Sequence, residues 1–288
     1  MKPCIEYFHS YLLYDADQFL RNAVEGELVF KNGKIVVKNE DGAKLIIVGD
    51  LEMDANGVIS GTANGFKVKD RDTKVLQGDG FDIDIADVET ALGDSNPYTA
   101  LQALIFEEKA VVKGSHDADF FFANEIDVIV RGRQGDDQLY GGAGHQVLKG
   151  GRGNDFLLAF QEADKLKGGA DKDTFAFVLE KKIAGDATTA EAESAHKIKD
   201  FSHNDDTILL DRSSFPLEEG FLDDDLFHVG ESATSPDHRV VYDMGTGILR
   251  FDPDGSDGDP ATLITTLIPG TKVKANDIFV GIVPLAEA

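Results

Sequence analysis

The stretch from Gly114 to Ala176 constrains this chain more than any other, because it superimposes on itself every nine residues. The clearest lines are Gly132-Arg-Gln-Gly-Asp-Asp-Gln-Leu-Tyr140, Gly141-Gly-Ala-Gly-His-Gln-Val-Leu-Lys149 and Gly150-Gly-Arg-Gly-Asn-Asp-Phe-Leu-Leu158. The frame continues through Ala159–Lys167 and Gly168–Ala176, and backwards, with decay, through Ala123–Arg131 and Gly114–Phe122. Each line has a glycine-rich first half, an acid or amide at position six and an apolar residue at position eight. A fixed short period of this kind is the signature of stacked repeats. Gly, Asp and Asn are common turn residues, and a single such loop would read as an ordinary turn. Seven consecutive frames argue against that reading.

The chemistry of the repeat points to a hard cation. Glycines let a tight loop adopt positive φ and turn its carbonyls inward. The acid at position six adds a carboxylate oxygen, and six to eight such oxygens suit Ca²⁺. Position eight falls on a short strand directed into a core. The lines fit the pattern G-G-x-G-x-D-x-U-x, and the chain resembles the haemolysin-type calcium-binding repeat proteins, the RTX family. The resemblance implies an all-β-dominated fold built on a right-handed parallel β-roll, with Ca²⁺ as its cofactor.

In such a roll two nonapeptides make one coil, so loops on one edge stand eighteen residues apart. Asp119, Asp137, Asp155 and Asp173 obey that spacing and are expected to form one column. The opposite edge carries Val128, Gln146 and Asp164 at position six. Valine cannot ligate and glutamine is a neutral, weaker ligand, so one edge is expected to bind calcium strongly and the other to be degraded.

The resemblance further implies that each ion lies between successive loops of one edge. The first loop would give the carbonyls of positions two and four and the carboxylate of position six; the next would give the carbonyls of positions one and three and its own carboxylate. Carried onto this chain, the first set joins Ser115, Asp117 and Asp119 to Gly132, Gln134 and Asp137. The second joins Arg133, Gly135 and Asp137 to Gly150, Arg152 and Asp155, and the third joins Gly151, Gly153 and Asp155 to Gly168, Ala170 and Asp173. Gly169 and Asp171, at positions two and four of the last loop, complete the candidate ligands. The first set lacks most of its early glycines, and Arg133 replaces a glycine in the second.

Around the repeats, residues 27–80 read as β, with Asn32-Gly33, Asp41-Gly42, Asn56-Gly57 and Asn64-Gly65 as hairpin turns between apolar runs. Ser95-Asn96-Pro97 followed by Leu101, Leu104 and Ile105 predicts a short helix. Residues 179–196 read as a loop or exposed helix. Ile198-Lys-Asp-Phe201 through Asp206, Ile208 and Leu210, then Arg239–Gly255 and Ala275–Val280, resemble the region that closes the roll in secreted serralysin-type proteases. In that family the C-terminus is an uncleaved address for type I secretion. Asp252–Asp259 lacks EF-hand spacing and reads as a turn rather than a calcium loop. The expected division is 1–113, an N-terminal β-rich region; 114–178, the roll; and 179–288, a β cap with the secretion region.

Composition narrows the function classes. Lys plus Arg number 28 against 53 Asp plus Glu, a formal net charge of -25. That excludes nucleic acid as a natural partner, since phosphate binding needs a basic face, and disfavours attraction to anionic membranes. The single cysteine, Cys4, permits no internal disulfide. The N-terminus has no apolar core resembling a cleaved signal, and no run approaches the roughly 20 apolar residues that span a bilayer. The chain has no H-E-x-x-H, G-x-S-x-G, P-loop or C-x-x-C motif. The seven histidines show no metal-ligand spacing. The expectation is a secreted, non-enzymatic calcium-binding protein whose partners are calcium, a type I secretion apparatus and an extracellular polysaccharide or host surface. The alternative is an extracellular polysaccharide-active hydrolase with its site in residues 1–113 and the roll as export and folding module.

Overall fold

Alternation of apolar and polar residues sets the strands of a computed structural model that describes residues 4–7, 27–38, 43–70, 73–92, 110–123, 127–178, 195–258 and 260–283. The chain divides into two compact units, residues 1–121 with 127–133, and residues 122–126 with 134–288.

The first unit is a meander. β1 (Cys4–Tyr7), β2 (Glu27–Phe30), β3 (Lys34–Lys38), β4 (Ala43–Met53), β5 (Ile59–Asp70) and β6 (Thr73–Asp84) lie in the order β2-β3-β4-β5-β6-β1, each pair antiparallel. β7 (Ala110–Lys113) then joins β1 in parallel. The short β8 (Phe120–Phe122) comes next in the chain, and β9 (Val128–Gln134) joins β7 in parallel. Ile35, Val37, Leu45, Ile47 and Phe66 are buried along one face. Asn32 and Gly33 form the predicted two-residue hairpin, with φ of 53° and 66°, and Asn56-Gly57 closes a longer one in which Asp54 Oδ1 accepts from Asn56 N and Val58 N. Asn64-Gly65 is not a turn. Val48 pairs with Gly65 and Gly49 with Ala63, so Asn64 is the extra residue of a bulge within the single strand β5. The Asn-Gly signal there reports a local break in register, not a reversal of the chain. α1 (Ile85–Leu92) follows β6, its first amides capped as Asp84 Oδ1 accepts from Ala86 N at 2.9 Å, and it buries Ile85 and Val88. The helix predicted after Pro97, the turn at Asp41-Gly42 and the segment before Lys197 lie outside the described residues, except Ala195 and His196.

The second unit holds two sheets. β10 (Gln138–Tyr140), β12 (Phe156–Ala159), β14 (Thr174–Phe177), β16 (Thr207–Asp211) and β22 (Ile278–Gly281) run parallel in that order, and β17 (Gly220–Phe221) closes the row antiparallel to β22. The other sheet runs β11 (Val147–Arg152), β13 (Lys165–Ala170), β15 (Lys197–Ile198), β21 (Thr262–Thr266), β20 (Ile248–Phe251), β19 (Val240–Asp243) and β18 (Phe227–Val229). Position eight faces the core in both, and Leu139, Leu148, Leu157, Leu166, Phe175, Ile198 and Ile208 are at most 1 % exposed. Burying each such side chain stabilises the fold by about 1.5–3 kcal/mol. The C-terminal strand β22 is interior, lying between β16 and β17, and Asp211 Oδ1 anchors the chain just beyond it by accepting from Val283 N at 3.0 Å.

Candidate metal centre

Three loops share one backbone. Positions two and four have positive φ in each: Arg133 (94°) and Gly135 (109°), Gly151 (135°) and Gly153 (115°), Gly169 (124°) and Asp171 (82°). Left-handed residues at alternate positions let neighbouring carbonyls face one side of a loop, which a plain extended strand forbids. Ser115 and Asp117 occupy the same frame positions in the earliest loop and do not have positive φ, nor do Gly142, Gly144, Phe160 and Glu162 on the opposite edge.

The predicted carboxylate column is present within the second unit and is buried, with Asp137, Asp155 and Asp173 at 1–2 % exposure. Each rung accepts a backbone N–H from the rung before: Asp137 N donates to Asp155 Oδ1 at 2.9 Å, and Asp155 N to Asp173 Oδ1 at 3.0 Å. The column continues past the repeats, because Asp173 N donates to Asp206 Oδ1 at 3.1 Å and Gly168 N to Asp200 Oδ1 at 3.0 Å. Sequence spacing misses both residues. The intervening segment places Asp206 33 positions after Asp173, which breaks the eighteen-residue register. The signal that could have found them is the I-x-D-F-x-x-x-x-D string, whose aspartates stand where the next coil needs them.

The electrostatics call for a cation. Burial pushes the Asp155 carboxyl up to about 6, with Asp136 and Asp171 adding repulsion. Burial pushes Asp173 up to about 7, with Asp155, Asp206 and Asp200 contributing. Asp155 Oδ2 is buried without a hydrogen-bond partner. A buried carboxylate oxygen left in that state is costly, and a divalent ion removes the cost. The surrounding space is shaped for the carboxylates, since a Cβ placed on Gly150 or Gly168 would strike the position-six carboxylate of its own loop. Among the described residues no three His, Cys, Asp or Glu side chains converge on one point. That fits sites whose oxygens are mostly main-chain carbonyls.

The opposite edge has the same backbone bonding and different side chains. Lys165 N donates to Gln146 O and Lys197 N to Asp164 O, as Phe156 N does to Asp137 O. Gln146 N donates to Asp164 Oδ1 at 2.8 Å, and Asp164 N donates to His196 Nδ1 at 3.2 Å. Gln146 Oε1 accepts from Gly142 N, and Asp164 Oδ2 from Phe160 N. Burial holds the His196 imidazole down at about 4, so it is neutral and accepts a hydrogen bond.

The family model for the RTX calcium-binding nonapeptide repeat, in four copies, matches residues 114–145, 129–157 and 144–175. No curated protein matches the chain. Among the described residues no helix is long and apolar enough to cross a membrane. RTX nonapeptide repeats bind Ca²⁺, which is the ion that the buried column and its glycine-lined loops fit. The matched nonapeptides, which build parallel coils in a strand-dominated chain, are RTX-type calcium-binding repeats.

Proposed function

We propose that the protein is exported and folds its roll on meeting extracellular Ca²⁺. The observation that carries this reading is Asp155, a carboxylate buried at the centre of a column of like charges with one oxygen unsatisfied. Gly151, Gly153 and Asp155 with Gly168, Ala170 and Asp173 would hold one ion. Gly135, Asp137, Gly150 and Arg152 would contribute with Asp155 to the next, and Gly169, Asp171, Asp200 and Asp206 would extend the series. Bound there, calcium supplies positive charge and hard-cation coordination to oxygens that otherwise repel one another. Millimolar extracellular Ca²⁺ matches sites of about 10⁻⁴ to 10⁻³ M, the range of extracellular modules. Binding free energy then becomes folding free energy.

Low calcium inside the cell would leave the acidic coils open for a type I exporter that reads the C-terminal region. The folded product would serve adhesion, matrix or host-surface contact rather than catalysis, with residues 1–113, 114–178 and 179–288 as N-terminal region, roll, and cap with export address. Calcium titration followed by circular dichroism tests the coupling. The expected result is β signal that rises with Ca²⁺ and falls with EGTA, and a spectrum indifferent to both would refute it. Export from cells carrying a type I apparatus, with and without residues 179–288, tests the secretion step.

A further inference from the structure

We propose that the first predicted rung takes no calcium, and that Arg133 and Ser115 close it in place of an ion. This rests on the reading of the other rungs as calcium sites.

Arg133 stands at φ 94°, a conformation in which its counterparts Gly151 and Gly169 are glycines. An L side chain is strained there, so the backbone alone would favour glycine, and the arginine needs another reason. Its guanidinium reaches back to the earliest loop, where Nη1 donates to Gly114 O at 3.1 Å. Burial pushes the Asp119 carboxyl up, and the Ser115 hydrogen bonds and the Arg133 charge act against that. It is the cation of that corner.

Ser115 supplies the donors. Its N–H donates to Asp119 Oδ2 at 2.6 Å, and its hydroxyl lies 3.3 and 3.2 Å from Oδ1 and Oδ2. Ser115 is 4 % exposed, and its Oγ also accepts from Asp117 N at 3.0 Å. The position-six carboxylate is therefore satisfied by its own loop, unlike Asp155, whose Oδ2 is orphaned. The loop also lacks the positive φ at positions two and four that the three loops from Gly132 onward share. Its Ser115 and Asp117 carbonyls are not set as theirs are. A fixed guanidinium and a serine thus do for Asp119 what an ion would do for Asp155. The Gly114–Asp119 loop would be ordered before any calcium arrives.

The test uses the full chain, with CaCl₂ or EGTA as the only variable. Calcium stoichiometry by equilibrium dialysis is expected to be the same for Asp119→Asn as for the unmutated chain, while Asp155→Asn binds fewer ions. The Ser115 amide is expected to show the same hydrogen-exchange protection in EGTA as in calcium. Arg133→Gln should lose that protection in both conditions, and Arg133→Lys should restore part of it. Fewer ions bound by Asp119→Asn, or protection of Ser115 only in calcium, would overturn the inference. Should Asp119→Asn not fold, the Ser115 exchange of the unmutated chain decides alone. If the unmutated chain binds no calcium at all, the reading of the other rungs fails instead, and that outcome is separate from any result at Ser115.

Discussion

The two edges of the roll share coil-to-coil backbone bonds and differ in what occupies position six and in the φ of positions two and four. One edge stacks Asp137, Asp155, Asp173 and Asp206, a row of like charges buried side by side. The other stacks Gln146, Asp164 and His196, one carboxylate between two neutral groups. The hydrogen bonds along the second edge complete themselves within the protein. Those along the first leave an oxygen of Asp155 over. The difference teaches that a shared backbone ladder does not determine whether a coil needs metal. What separates the edges is the side-chain charge inside the loop together with the positive φ at positions two and four.

The largest effect should come from chelation. In EGTA, hydrogen exchange at the Asp155 and Asp173 amides is expected to accelerate far more than at the Gln146 and Asp164 amides. Equal loss of protection would show that the edges open together and that the comparison has no energetic content.

Next in size is Asp155→Asn. On the proposed reading it removes a charged ligand shared by neighbouring ions, so calcium affinity should fall roughly tenfold, about 1.4 kcal/mol. The same variant should melt higher than the unmutated chain in EGTA, because a buried charge has gone. A variant weakened under both conditions would mean that Asp155 acts through packing alone. Gly150→Ala should likewise lower calcium affinity, since its Cβ meets the Asp155 carboxylate.

Acid should sharpen the contrast in calcium-free protein. The folded Asp155 and Asp173 sit at about 6 and 7, above the ordinary 3.8. The metal-free fold therefore holds more protons than the unfolded chain between about pH 4 and 7, and these groups stabilise it as pH falls through that window. His196, held at about 4 instead of 6.5, acts in the opposite sense, and its contribution is lost as pH falls from 6.5 towards 4. Exchange measured at pH 7 and pH 5 in EGTA should show slower opening at Asp155 relative to Asp164 in acid, after correction for intrinsic rates. A shift in the other direction would contradict the burial of the column.

The smallest effect on calcium binding should be Gln146→Ala, which leaves calcium affinity unchanged and costs about 1–3 kcal/mol of stability through the donors it abandons. Calcium titration together with thermal melting would check both halves of that expectation.

The sequence alone determined the period, the inward row at position eight and the composition of both edges, because each repeats at a fixed interval and the coil geometry is local. The Asn32-Gly33 hairpin was legible for the same reason. Asn64-Gly65 was not, because a dipeptide that permits positive φ serves a bulge as well as a turn, and only the pairing partners β4 and β6 select between them. Only tertiary structure recruited Asp200, Asp206 and His196 to the two columns, since the segment before them destroys the interval and only the parallel pairing of β15 and β16 with β13 and β14 restores it. Tertiary structure also turned Arg133 from a flaw in a glycine position into the cation of its corner. A side chain's charge can be read from a list of residues, whereas the carbonyl and carboxylate it meets depend on where the next coil lies.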